Sequence, residues 1–426
     1  MERVLTRQNS VQLILLELLS LTPILIILGN IVPPIPMKIH HIGFGLIFLI
    51  VIYALMLDQY KKWILYFALG FLFIQFTHEQ WYLKGYIDYF FGPFVFIFLL
   101  DLHINKRLPI KTLEKYIVRF FAILWIPIII AMLQFMNIFP ITFWNATYVN
   151  FAYFGDVAIP RPNGFLYHGS ELSVIICFAA LYQYFKGVKV AFWMLLLICI
   201  AAMMTYFKAL FGCVVILFIY YIFFVSNGIG TKIKLMTRKR LWLYSISILC
   251  VVGIYIYQYL MMIHSYTGYY FTPTLLTGRG AIWNIYLERI KEFTWWNYFI
   301  GNGMGTSFDI FADYATPETW YLLAIDPNTD TDYDTHNAIL SVFINSGIIG
   351  VLFIVYIFKM VYNQAIRWLP NPKWNKAVFF GIFILPLLTI GVTIPIYENS
   401  IFWIATGFLI MRWNYFTNQN ETANQL

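Results

Sequence analysis

Apolar residues in this chain neither alternate nor recur on one face. They come in continuous runs, at about 11–30, 41–57, 63–77, 86–101, 117–137, 169–185, 190–206, 209–225, 241–261, 337–358, 377–395 and 399–413. A helix needs about 20 mostly apolar residues to cross a bilayer, with a range of roughly 17–25. The runs therefore predict an all-α polytopic integral membrane protein. It has about 12 transmembrane helices in a single transmembrane domain over residues 1–426. The polar stretches between runs are short, except 138–168 and 262–336. The second of these, inserted before the tenth span, is large enough for a small subdomain. It is predicted to carry short helices such as Ala281 to Phe293, followed by Trp295 and Trp296 at the membrane surface.

Composition narrows the class. Of 426 residues, 61% are hydrophobic and 11% charged, and the mean hydropathy is +0.72. Soluble chains carry roughly 25% charged residues. A soluble globular domain, a disulfide-stapled scaffold and a disordered chain are excluded. Cys177, Cys199, Cys213 and Cys250 each sit inside an apolar run with no Cys-x-x-Cys pair, so they read as packing residues.

The net charge of +8 reports topology and requires no nucleic-acid partner. With the N-terminus inside and twelve alternating spans, 21 of the 28 Lys and Arg fall on the inner side, and 14 of the 20 acids fall outside. Basic loops stay cytoplasmic. Both termini are expected to be cytoplasmic and both long loops extracytoplasmic. The first run follows Arg3 and Arg7 and is not trailed by a small-x-small cleavage site, so it reads as a retained helix.

Cations are scarce on the outer side, which makes those present informative. Arg161 lies in Arg161-Pro-Asn-Gly164 before the sixth span. Arg279 lies in Thr277-Gly-Arg-Gly-Ala-Ile-Trp283, opening a helix. Lys208 lies in the tight hairpin between spans seven and eight. Arginine grips phosphate through two parallel hydrogen bonds. His336, in Asp334-Thr-His-Asn337 where the large loop re-enters the membrane, is a candidate general base. The blander reading makes it an interfacial His beside a helix capped by Asp334 or Thr335. Glu171 at the edge of span six either pairs with Arg161 or Lys208 or meets substrate. Gly301-Asn-Gly-Met-Gly305 reads as a turn for close packing, and Gly347-Ile-Ile-Gly350 as small-residue helix packing. Asp326, Asp330, Asp332 and Asp334 read as an acidic, solvated loop, with weak divalent-cation binding as the alternative.

These pieces resemble the O-antigen ligase/O-antigen polymerase superfamily. The resemblance rests on Gly301-Asn-Gly-Met-Gly-Thr-Ser-Phe308, the acidic loop, Thr335-His-Asn-Ala-Ile-Leu340 and Asn345-Ser-Gly-Ile-Ile-Gly350. The Arg279 and Arg161 segments fit the same pattern, and the match covers roughly 160 to 360. One departure is Thr205-Tyr-Phe-Lys208, where the family often has Ser-Arg; the charge survives and the bidentate grip does not.

The resemblance implies a metal-independent membrane glycosyltransferase without cofactors, in the bacterial inner membrane, with its active site outside. The donor would be undecaprenyl-pyrophosphate-linked glycan and the acceptor a sugar hydroxyl. His336 would be catalytic, and Arg161, Arg279, Lys208, Asn337 and Glu171 would bind substrate. The leading expectation is a polysaccharide repeat-unit polymerase, working with a chain-length regulator as a candidate partner. The alternatives are a ligase that moves finished glycan to lipid A core or another acceptor, and a non-enzymatic lipid-glycan flippase. Against the flippase, charges within the spans are few and the cations gather on one face.

Overall fold

The computed structural model describes residues 2–31, 39–56, 62–104, 108–141, 151–154, 157–166, 169–186, 188–204, 210, 214, 279–317, 319, 337–367 and 399–423. Among them are helices α1 (Glu2–Ile31), α2 (Ile39–Met56), α3 (Lys62–Gln75), α4 (Leu83–Ile104), α5 (Ile110–Ile123), α6 (Trp125–Phe135), α7 (Gly169–Lys186) and α8 (Val188–Met204). Further on come α9 (Arg279–Lys291), α10 (Trp295–Ile300), α11 (Ser307–Tyr314), α12 (Ala338–Arg367) and α13 (Ser400–Ala423). One short antiparallel hairpin, β1 (Phe151–Phe154) with β2 (Val157–Pro160), interrupts the helices.

Every apolar run except 209–225, 241–261 and 377–395 falls on these helices, with 117–137 shared by α5 and α6; those three lie outside the described residues but for 210 and 214. Ser10–Ile31, Leu83–Leu102, Lys111–Phe135 and Ala338–Met360 are each long and apolar enough to cross a membrane. Ile42–Met56, Lys62–Gln75, Glu171–Gln183 and Ser400–Arg412 are apolar but shorter. This is the architecture of a helical membrane protein. The break between α5 and α6 at Leu124 has a local cause: Pro127 lacks an amide hydrogen, and its ring clashes with the carbonyl of Ile123.

The core is aromatic and centres on α4. Phe90 contacts Phe71 and Phe353, and Phe67 stacks on Phe353 with ring centroids 4.7 Å apart. Phe96 meets Trp403 at 5.8 Å. Two glycines let α4 and α13 approach closely: Gly92 abuts the Trp403 indole and Gly407 abuts Leu99. Because 92 faces 403 and 99 faces 407, α4 and α13 run in the same direction. α5 runs against α13, with Glu114 paired to Arg412 at 2.9 Å and Phe120 against Phe408. α3 runs against α12, with Phe67 on Phe353 and Trp63 on Tyr356. A second, smaller core joins α9 and α11 to the start of α12 through Trp283, Tyr286, Phe293, Phe311 and Ile344.

Candidate functional site

Arg161 stands on a turn that the bundle holds rigidly. Gln134 of α6 is fully engaged there. Its Oε1 accepts from the amides of Asn163 (3.0 Å) and Gly164 (2.8 Å), and its Nε2 donates to Asn163 Oδ1 and to the Pro140 carbonyl, both at 3.0 Å. Asn30 of α1 donates to the Phe165 carbonyl at 3.0 Å. Gly164 and Phe165 both have positive φ, 65° and 62°. Gly164 is required, since a Cβ there would lie 2.4 Å from the Pro127 carbonyl oxygen. Phe165 is a bulky residue in a left-handed conformation, which costs about 1–3 kcal/mol and persists only where surroundings over-determine it.

On this turn the Arg161 guanidinium is half-buried, and its Nε makes no hydrogen bond among the described residues. Burial lowers its pKa from the usual value. Two other cations of the predicted outer side are already committed. Arg289 donates to Asn302 Oδ1 (2.8 Å), Glu292 Oε2 (3.1 Å) and the Tyr314 hydroxyl (3.3 Å). Lys291 pairs with Glu288 at 2.6 Å. The Arg289 contacts form a clip that ties α9 to α11. The hydrogen bond from Tyr314, with Arg289 beside it, holds the Glu292 carboxyl below the usual range. The half-buried Arg161 guanidinium, with its Nε unpartnered, is suited to a multiply charged anion.

The start of α12 is a second place to which the sequence assigns chemistry. Its N-cap is Asn337, whose Oδ1 accepts from the amides of Ile339 (3.0 Å) and Leu340 (3.1 Å) and whose carbonyl accepts from Ser341 (2.9 Å). This corrects the expectation that Asp334 or Thr335 caps the helix. α12 is also broken: Gly347 has φ 62° and ψ −160°, a conformation open only to glycine. A break frees carbonyls from their intrahelical partners. The glycine-rich turn supplies one replacement, with the Asn302 amide donating to the Ile344 carbonyl at 2.7 Å. Asn345 Oδ1 accepts from the Ser307 amide at 3.2 Å, which fixes the start of α11. α10 starts at a Thr294–Asn297 capping box and ends at Gly301, where the same turn begins.

The other face of the glycine-rich turn rests on the α3–α4 connection. Tyr82 donates its amide to the Met304 carbonyl at 2.7 Å, and the Met304 amide donates to Gln75 Oε1 at 2.8 Å. A Cβ on Gly303 would lie 2.3 Å from the Gln80 carbonyl oxygen, so the turn is a close-packing device.

Of the remaining predicted site residues, Arg279 is the first residue of α9. Glu171 lies in the first turn of α7 and is partly exposed. Pairing of Glu171 with Arg161 is not among the ion pairs of the described residues. His336, Lys208 and the acidic residues 326–334 lie outside the described residues. Sequence reasoning missed Gln134, Asn30 and the Arg289–Glu292–Tyr314 clip. Glutamine and asparagine inside apolar spans were the available signal, since a buried amide must find partners. Comparison of the chain with models of known protein families and with curated proteins finds no match, so the functional reading rests on these residues and on the motif resemblance.

Proposed function

We propose that this protein is a polysaccharide repeat-unit polymerase of the bacterial cytoplasmic membrane. It transfers undecaprenyl-pyrophosphate-linked glycan onto a sugar hydroxyl of another lipid-linked unit at the outer face. The observation that carries this reading is Arg161: a half-buried cation with an uncommitted Nε, on a strained and firmly held turn. Such a group is poised for a charge that develops on a departing anion.

In this reading the acceptor oxygen attacks the anomeric carbon, and the bond to the pyrophosphate oxygen breaks. Arg161, with Arg279 at the start of α9 and Lys208, meets the negative charge of the leaving lipid pyrophosphate. His336 takes the hydroxyl proton. Asn337 caps the helix that follows His336 in the sequence. The lipid carries the activation, so neither a nucleotide nor a metal enters the scheme. Twelve spans with cytoplasmic termini complete the reading. The relative directions of α3, α4, α5, α12 and α13 agree with the alternation that the charge count predicts.

The test is deletion of the gene, with surface glycan and undecaprenyl-linked glycan run side by side on gels. A polymerase leaves single repeat units on their acceptor and no ladder. A ligase strands long chains on the lipid carrier, and untransferred units trapped on the inner leaflet indicate a flippase. Either of the last two results overturns the proposal.

A further inference from the structure

The exposed apolar surface made by α3 and α12 is shorter than a bilayer is thick. Tyr66, Leu69 and Phe73 of α3 and Leu352 and Val355 of α12 are all exposed, and the two helices lie antiparallel with Trp63 against Tyr356. Charge marks both ends of this strip. On the predicted inner side stand Lys62, the first residue of α3, and Lys359, exposed and three residues beyond Tyr356. At the other end both helices meet the glycine-rich turn. α3 stops at Gln75, whose Oε1 accepts from the Met304 amide at 2.8 Å, and α12 breaks at Gly347 against the Gly301 backbone. Charge follows at once. Arg289 donates to Asn302 Oδ1 at 2.8 Å, and the Asn302 amide donates to the Ile344 carbonyl at 2.7 Å, which ties the Arg289–Glu292 ion pair to the level of Ile344. The Glu292 and Glu288 side chains are each 54% exposed, so this level lies in water or among headgroups.

At about 1.5 Å per residue, α12 rises about 18 Å from Gly347 to Lys359, and the 14 residues of α3 rise about 21 Å. Hydrocarbon is about 30 Å thick, the length that Leu83–Leu102 and Lys111–Phe135 of this same chain can match. Helix tilt would shorten the strip further, and snorkelling of the lysines makes up only part of the shortfall. A bilayer of full thickness would therefore draw either the lysines or the Arg289–Glu292 pair into hydrocarbon. Lipid meets a short apolar stretch by thinning. We propose that the α3–α12 face holds the phospholipid bilayer locally thinned by about 10 Å. The outer border then lies at the Gly347 break and not at residue 337, where the apolar run begins. Exposed Trp295 and Phe299 of α10 stand at that border, since the Phe299 carbonyl carbon would lie 2.5 Å from a Cβ on Gly347. The inference is independent of the polymerase reading.

The test uses the full-length protein in dioleoylphosphatidylcholine vesicles. A single nitroxide is placed on Ile348→Cys or on Lys359→Cys, at the two ends of the strip, with Cys177, Cys199, Cys213 and Cys250 replaced by alanine. Power-saturation EPR with oxygen and a water-soluble nickel complex reads the depth of each label. Both labels at the headgroup border is the expected result. A bilayer of full thickness buries at least one of them about 6 Å or more in hydrocarbon, where collisions with oxygen dominate, and that result overturns the proposal. The wild type supplies a second measurement that needs no substitution and serves if the cysteine-free variant does not fold. Cryo-electron microscopy in nanodiscs of the same lipid measures the separation of the two headgroup layers directly. Layers closer together beside α3 and α12 than at the rim of the disc support the thinning. Equal separation at both places overturns it.

Discussion

Gly301 and Gly347 meet backbone to backbone. A Cβ on Gly301 would lie 2.4 Å from the Ser346 amide nitrogen, and one on Gly347 would lie 2.5 Å from the Gly301 nitrogen. Both residues have positive φ. The glycine-rich turn and the Gly347 motif, far apart in sequence, are therefore one structural unit, and that unit holds the helix that begins just after His336.

Replacing either glycine by alanine should be severely destabilising. Forced positive φ costs about 1–3 kcal/mol, and overpacking adds typically 1–3 kcal/mol. The thermal transition of detergent-solubilised Gly347→Ala should fall by several degrees, with a loss of monodisperse elution. Gly350→Ala should be milder, because Gly350 has no positive φ, although its Cβ would still force Ser346 to shift. Equal transitions for Gly347→Ala and wild type would show that this contact is not made.

Arg161→Gln should separate stability from activity. The guanidinium is desolvated and its Nε is unpartnered, so removing the charge should leave the thermal transition unchanged or raise it. Polymer yield should drop by about 10-fold or more, the scale of losing a charge-assisted contact. Arg161→Lys should recover only part of it, since a point charge replaces a fork. A clear fall in the transition temperature with full polymer yield would assign Arg161 a structural role instead.

Stability should decline as the medium is acidified through the ordinary histidine range. His78 lies outside the spans, and burial holds its folded pKa below the ordinary 6.5. As pH falls through 6.5 the unfolded chain takes up a proton that the folded chain resists, so the stability present above that pH is lost. Thermal transitions at pH 7.5 and 5.5 (about one unit either side of that value) should differ more for wild type than for His78→Gln. Identical differences would remove His78 as the source.

Glu17 of α1 and Arg119 of α5 form an ion pair within the helical bundle. A lone charge in a membrane-spanning helix costs about 2.5–3.5 kcal/mol on insertion scales. Glu17→Ala and Arg119→Ala should each lower the yield of folded protein, and the double variant should recover much of it. Additive losses in the double variant, measured by fluorescence-detected size exclusion, would argue against coupling.

The helices were legible because their signal is local. A run of apolar residues such as 86–101 must be helical in lipid, where each backbone polar group needs an internal partner. Arg279 was read as opening a helix, and it is the first residue of α9. The cap on α12 was misassigned to Asp334 or Thr335, since Asn337 is equally able to cap and only the helix start decides between them. Gly347 read as a residue for helix packing. It proved to be the point where α12 breaks, because the replacement partner for the Ile344 carbonyl comes from Asn302.

The sequence by itself determined the class of protein, the position of most of the described helices and the residue types on offer on the predicted outer side. Hydropathy and charge act residue by residue, so these need no knowledge of contacts. The tertiary structure alone decided which polar groups are already spent. Arg289 and Arg161 are the same residue type on the same predicted side, yet one is consumed by Asn302, Glu292 and Tyr314 while the other keeps an uncommitted Nε. That difference depends on desolvation and on partners distant in the chain, and neither is encoded in any local window.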